Sequence, residues 1–194
     1  MIYPHRVWPK EYKAFGFTKI INSPYELRPI NRNSKEKIRK WRNAQTEFLR
    51  QNHLITKREQ SRYFDKVVRK SFNAPFPEQI LFDFFKDGKL VGYGGFVHIS
   101  WTNSRAELSF LLDPCYAPSK EYELLFREFI ALIKVIAQDY FRFHKLFTET
   151  YAGRELHIKV LESSGFSREG VLEHHVLKDG EFHDSILHGC ILKK

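Results

Sequence analysis

Two arginines eight residues apart stand among side chains suited to polar recognition. Trp41-Arg42-Asn43-Ala44-Gln45 is followed by Leu49-Arg50-Gln51-Asn52-His53. On one continuous helix that spacing is just over two turns, which would set Arg42 and Arg50 near one face. Paired guanidiniums suit a phosphate or a carboxylate, and Asn43, Gln45 and Gln51 suit sugar hydroxyls or amides. Trp41 can stack on a flat ring or pack in the core, and the whole cluster can equally be a solvated basic face. His98 and Trp101 follow at the end of a long apolar run, where a strand enters a turn. His174, His175, His183 and His188 look metal-rich, but their spacing matches no usual zinc pattern and no thiolate joins them, so no metal is expected. With only Cys115 and Cys190, a disulfide scaffold is excluded. Cys115 has no identifiable histidine partner and reads as a small packed residue.

The elements that must position these groups follow from periodicity. A strand is expected at 25–30. Ser34 then caps a helix whose apolar face is Ile38, Trp41, Phe48 and Leu49. Thr56-Lys57-Arg58-Glu59 is a capping box that opens a second helix, with Tyr63, Phe64, Val67, Val68 and Phe72 as its stripe. Three β-prone runs at 79–85, 90–99 and 105–112 read as an antiparallel meander turned at Asp87-Gly88 and 101–104. Ser119 caps the next helix, buried through Phe126, Phe129, Ile130, Ile133, Ala137 and Phe141. A strand at 145–151, a helix at 154–163 stopped by Gly165, and a hairpin of 168–177 with 181–191 complete the chain. The 194 residues, 42% hydrophobic, fit a single mixed α/β domain at 25–194 behind an irregular arm at 1–24.

The net charge of +9 is unevenly placed: residues 1–75 carry 18 Lys/Arg against 6 Asp/Glu, and residues 76–194 carry 14 against 17. The basic excess therefore belongs to the arm and the first two helices. No Lys/Arg-Gly-Phe context with stacking aromatics accompanies it, which argues against a nucleic-acid partner. The longest apolar stretch, 129–137, contains Lys134 and falls far short of the roughly 20 residues that span a bilayer. Met1 to Trp8 lack the apolar run of a signal peptide. No membrane partner and a cytoplasmic location are the expectation.

The order of elements resembles that of the GNAT acetyltransferases. Arg154-Glu155-Leu156-His157-Ile158-Lys159-Val160-Leu161-Glu162-Ser163-Ser164-Gly165-Phe166 is similar to the family helix that ends in Gly-Phe. Glu169-Gly170-Val171-Leu172-Glu173-His174-His175, then Asp179-Gly180 and Asp184-Ser185, is similar to the last hairpin of the subgroup holding the ribosomal-protein alanine acetyltransferases. Leu27-Arg28-Pro29-Ile30, with Trp41-Arg42-Asn43 after it, resembles the amino-sugar acetyltransferases of bacterial surface-glycan pathways. The likeness spans 25–191. It implies a central, mostly antiparallel sheet, splayed at one seam and flanked by about four helices.

What the resemblance implies in chemistry is acyl transfer from acetyl-CoA to a primary amine, without a metal. The pantetheine arm would lie along Ser109, Phe110, Leu111 and Leu112 like an added strand. The pyrophosphate would meet the loop at Tyr116, Ala117, Ser119 and Lys120 ahead of a helix N-terminus, with Arg154 nearby. The family has glycines in that loop, whereas this chain has Tyr116-Ala117-Pro118-Ser119-Lys120-Glu121 and none. A hydroxyl at Ser119 and a cation at Lys120 would have to compensate. Glu107 falls where family members often place a carboxylate near the acceptor amine, and is the catalytic residue expected, as proton acceptor. The family's general-acid tyrosine falls on Leu161, so that group is missing. Glu149 and Thr150 can bond the pantetheine or simply belong to the sheet, and Asp184 fixes a turn or an ion pair. The acceptor wall would be Trp41, Arg42, Asn43, Arg50, His98 and Trp101. The expected activity is N-acetylation of a small amine, a nucleotide-linked amino sugar of surface-glycan synthesis, by a monomer or homodimer. Acetylation of a protein or ribosomal N-terminus, and a degenerate domain serving as a binding module, are the alternatives.

Overall fold

Strict alternation in the apolar run after Gln79 decides which helix covers which side of the sheet. The computed structural model describes residues 7–116 and 118–192. Eight strands form one sheet: β1 (Ile20–Asn22), β2 (Tyr25–Pro29), β3 (Ile80–Lys86), β4 (Lys89–Ser100), β5 (Arg105–Leu112), β6 (Lys145–Tyr151), β7 (Ser167–Lys178) and β8 (Glu181–Ile191). Their spatial order is β1-β2-β3-β4-β5-β6-β8-β7, antiparallel throughout except for the parallel β5–β6 pair. On β3, Phe84 faces Phe129 with ring centroids 5.5 Å apart, while Asp83 faces the other way and meets Ser34.

The helices are α1 (Lys35–Asn43), α2 (Lys57–Tyr63), α3 (Arg69–Asn73), α4 (Lys120–Val135) and α5 (Glu155–Ser163). A π-helical turn, Phe64–Val68, joins α2 to α3, so the five segments make four rods. The capping box is present: Thr56 Oγ1 accepts from the Glu59 N–H at 3.2 Å, and Glu59 Oε2 accepts from the Thr56 N–H at 2.8 Å. Ser119 caps α4 by accepting from the Tyr122 N–H at 3.1 Å. The mixed α/β architecture is the one expected, with an added edge strand, β1.

One expectation is corrected and another filled in. The first helix stops at Asn43 instead of continuing to Phe48 and Leu49. The Asn43 amide turns across to Ile55, accepting from its N–H at 2.8 Å and donating to its carbonyl at 2.9 Å, and the chain enters a 3-10 turn, Thr46–Phe48. The second finding concerns the arm at 1–24, which holds the short strand β1 and is packed against the sheet where it is described. The buried Tyr12 ring stacks on Phe72 at 3.9 Å, and its hydroxyl both donates to the Leu81 carbonyl and accepts from the Leu81 N–H, each at 2.9 Å.

The seam matters most for function. Strands β5 and β6 pair only through Arg105↔Lys145, Ala106↔Leu146 and Glu107↔Phe147. Beyond Glu107 they part, and the facing backbone groups have no strand partner there. Among the described residues no helix is long and apolar enough to cross a membrane.

Candidate active site

A cleft of about 800 Å³ opens where β5 and β6 part, lined from both strands by Glu107, Ser109, Glu149 and Tyr151. Its most charged point is Arg50. One terminal nitrogen of that guanidinium lies 3.0 Å from Glu107 Oε1 and 2.7 Å from Glu149 Oε2, and the other lies 3.3 Å from Glu107 Oε2. Arg50 thus bridges the two strands next to their last paired residues. It comes from the loop after α1, so Arg42 and Arg50 do not share a helix face as their spacing predicted. Both still line the cleft.

The loop that carries Arg50 is held from the far end of the sheet. Lys178, at the tip of the β7–β8 hairpin, donates to the carbonyls of Thr46 (3.2 Å), Leu49 (2.8 Å) and Gln51 (3.2 Å). Asp179-Gly180 turns that tip, both residues with positive φ (51° and 87°), as a tight hairpin requires. An ammonium has three N–H donors, and here all three are spent on carbonyls flanking Arg50. Lys178→Met is therefore expected to raise the KM for the amine acceptor about tenfold, because three carbonyls lose a charged donor and Arg50 loses its setting. Acetyl-CoA binding, measured by calorimetry, should stay unchanged; a parallel loss of both would mean a general structural role.

The other expected acceptor residues separate into two groups. Arg42 donates to the Tyr93 hydroxyl at 2.9 Å and to Gln51 at 3.2 Å, and His98 projects into the cleft with Nε2 3.8 Å from Glu107 Oε2. Trp41, by contrast, is 4% exposed inside the core and cannot stack on an acceptor. Asn43 spends its amide on Ile55 and on Gln51 Nε2, so its role is to shape the loop. Trp101 donates to the Pro77 carbonyl at 2.9 Å and packs among Phe76, Phe141 and Phe143, behind the cleft wall that Phe76 and Pro77 form and not lining it.

On the cofactor side, Ser109 and Phe110 line the cleft, and Leu111 and Leu112 are buried. Ala117 lies outside the described residues. The Ser119 oxygen is committed to the α4 cap and its hydroxyl donates to the Tyr116 carbonyl at 3.3 Å, so it is not a free phosphate donor. Lys120 opens α4 in solvent, and Lys89 lies 5.9 Å from the centre of the Tyr116 ring. Two carboxylates in the first turn of α4 are compensated: Glu121 pairs with Lys86 and Glu123 with Lys159, each at 3.0 Å. The N-terminus of α4 is thereby less acidic than its own residues imply.

A cluster invisible in the sequence lies beside the seam. His157, in the first turn of α5, lines the cleft and places Nδ1 2.7 Å from the Tyr122 hydroxyl; Arg154 stands 3.4 Å from the same hydroxyl. Burial, then the Arg154 charge, holds His157 well below the usual imidazole range, so it is neutral. With Nδ1 facing a hydroxyl that donates to it, Nε2 carries the proton. The residue at the family's tyrosine position, Leu161, is fully buried.

The geometry of a seam that parts beside a cleft agrees with what sequence comparison finds. Residues 27–187 match the model of the GNAT-type acetyltransferase domain. The chain belongs to the GNAT acetyltransferase family. It is an acetyl-CoA-dependent N-acetyltransferase of that type. Among curated proteins, none matches the sequence significantly. Of solved structures, a spermidine N-acetyltransferase from Vibrio cholerae in complex with CoA and spermine superposes with a TM-score of 0.75 at 16% identity, over 88% of this chain and 97% of that one. RimL, a ribosomal L7/L12 alpha-N-protein acetyltransferase in complex with CoA, gives 0.72 at 14% identity, over 89% and 97%. At such identity these likenesses speak for the fold. The residues present fit a pantetheine arm: the seam leaves backbone groups open, and Thr150 Oγ1, on β6 beyond the last β5 partner, is buried without a hydrogen-bond partner. Among the described residues no three His, Cys, Asp or Glu side chains gather where a metal could sit.

Proposed function

We propose that the acceptor is a small amine that also carries a negative charge, a nucleotide-linked amino sugar being the class that fits best. The observation that carries this is the polarity of the cleft. Its floor holds Glu107 and Glu149, which suit the acceptor's ammonium. The wall formed by the π-helical turn and α3 presents Lys66 and Lys70, one helical turn apart, and Arg42 stands on α1. Such an arrangement favours a ligand with an amine at one end and a phosphate-like group at the other. A polyamine such as the one held by the Vibrio cholerae relative would meet these cations unfavourably. The basic excess of residues 1–75 extends the same field beyond the cleft.

In this reading Arg50 holds Glu107 and Glu149 in place while the acceptor's amine binds beside them. His157, on the wall by the seam, is the chain's own donor to a departing thiolate, with the Tyr122 hydroxyl behind it on Nδ1. Acetyl-CoA supplies the acyl group; the residues around it orient the amine and exclude water. The test is coenzyme A release from acetyl-CoA with UDP-linked amino sugars, N-terminal peptides and polyamines in parallel. Turnover on the sugars is expected. Turnover on peptides alone would replace the acceptor assignment, and no heat on titration with millimolar acetyl-CoA would favour a degenerate binding module.

A further inference from the structure

Strand β4 is irregular where it faces the seam. Between Val97 and Ser100 it advances three residues while β5 advances two, from Glu107 to Arg105. The extra residue is accommodated at His98, whose φ is +48°, a left-handed conformation uncommon outside glycine. One consequence is that Val97, His98 and Ile99 all line the cleft, which a regular strand with alternating side chains does not allow. Bulges of this kind re-aim side chains beside functional sites, and strained positions of this kind persist where the surroundings hold them.

The aim of His98 is specific. Its ring is two-thirds exposed, and Nε2 stands 3.8 Å from Glu107 Oε2. Glu107 itself is engaged: both its oxygens accept from Arg50, which also binds Glu149. The imidazole lines the cleft with neither ring nitrogen in a hydrogen bond, beside a carboxylate fixed by an arginine. At 3.8 Å Glu107 acts on the ring through its charge and not through a hydrogen bond. The charged groups that line the cleft with it are Glu107 on β5, Glu149 on β6, Arg42 on α1, Arg50 on the loop, Lys66 and Lys70 on the helical wall, Glu78 ahead of β3 and Arg154 ahead of α5.

We infer that His98 is the general base of the transfer and that Glu107 is the residue that positions it. An acceptor arriving as ammonium gives one proton to His98 and becomes a neutral amine. Attack forms the carbon–nitrogen bond, the carbon–sulfur bond breaks, and the second nitrogen-bound proton ends on the departing sulfur, directly or through Tyr122 and His157. The imidazolium then returns its proton to water. Imidazole suits this task near neutral pH.

The inference rests on the transferase reading, and the experiment separates the two. Coenzyme A release is followed across pH with UDP-glucosamine and with water alone as acceptor, in wild type, His98→Asn, His98→Gly and Glu107→Gln. Asparagine and glycine both tolerate a positive φ, so the backbone is kept. The expected result is a loss of about a hundredfold or more in His98→Asn together with loss of the acidic limb of the pH profile. Added imidazole restores His98→Gly, and Glu107→Gln is slower but keeps the limb. Nitrogen-15 signals of the His98 ring should also move on adding UDP-glucosamine, a readout independent of turnover. An acidic limb that survives in His98→Asn and vanishes in Glu107→Gln would overturn the inference and make Glu107 the base. Absence of any coenzyme A release or acetyl-CoA binding in wild type would remove the transferase reading and this inference with it.

Discussion

Asp83→Asn is expected to stabilise the protein at pH 8 by up to about 4 kcal/mol and to remove the fall in stability that Asp83 causes between pH 4 and 7. Asp83 is 1% exposed on β3, and burial pushes its carboxyl from 3.8 up to about 7. One oxygen is served, accepting from the Ser34 hydroxyl at 2.6 Å and the Asn31 N–H at 3.0 Å; the other, Oδ1, is buried without a partner. The folded state therefore holds a proton that the unfolded chain has released throughout that window. With more protons bound in the native state, stability falls as pH rises: the contribution is complete below pH 4 and lost above pH 7. Asparagine keeps the accepting oxygen and never ionises. Urea melts at pH 5 and pH 8 check this, and parallel curves for wild type and variant at both values would mean the carboxylate is ionised and well served. The residue matters beyond stability, because its bond to Ser34 ties the start of α1 to the sheet, and α1 carries Arg42 toward the cleft.

How much of this was legible beforehand depends on the range of the signal. The capping box at Thr56 and Glu59, the cap at Ser119 and the bounds of β5 and β6 rest on neighbours within four residues, and they stand where the sequence places them. Readings that needed distant partners did not come out whole. Stacking and core packing both fit Trp41 until the core that covers it decides for packing. The eight-residue spacing of Arg42 and Arg50 misleads because Asn43 is drawn off by Ile55, twelve residues on. The bridge from Arg50 to Glu107 and Glu149 spans 57 and 99 residues, and the Tyr122–His157 contact spans 35. Lys178 reaches its three carbonyls from about 130 residues away. No periodicity encodes such pairs; the sheet order creates them. The carboxylates Glu121 and Glu123 in the first turn of α4 are likewise offset by Lys86 and Lys159 from other elements, pairs that no local pattern encodes.

Gly94→Ala tests whether the seam is set by strand spacing, and it should be among the most damaging single changes outside the cleft. Gly94 pairs with Phe82 on one side and Phe110 on the other. A Cβ built there would lie 2.2 Å from the Ser109 carbonyl oxygen, 2.8 Å from the Phe129 ring and 2.9 Å from the Phe110 Cα. Two of these are backbone atoms, which cannot swing aside as a flexible side chain can, so the methyl must push β5 away from β4. Overpacking of this kind costs about 3 kcal/mol or more where backbone has to move. Gly170→Ala is the control, since a Cβ at that position meets nothing within 4 Å; it should stay within about 0.5 kcal/mol of wild type. The functional consequence follows from the same displacement. Ser109 and Glu107 lie on β5, so a shift of that strand narrows the gap toward β6 and moves Glu107 relative to His98 and Arg50. Acetyl-CoA affinity should then fall together with the unfolding free energy. If Gly94→Ala bound acetyl-CoA like wild type and melted within about 1 kcal/mol of it, the β4–β5 contact would have room to spare, and the seam would owe its shape to the loops instead.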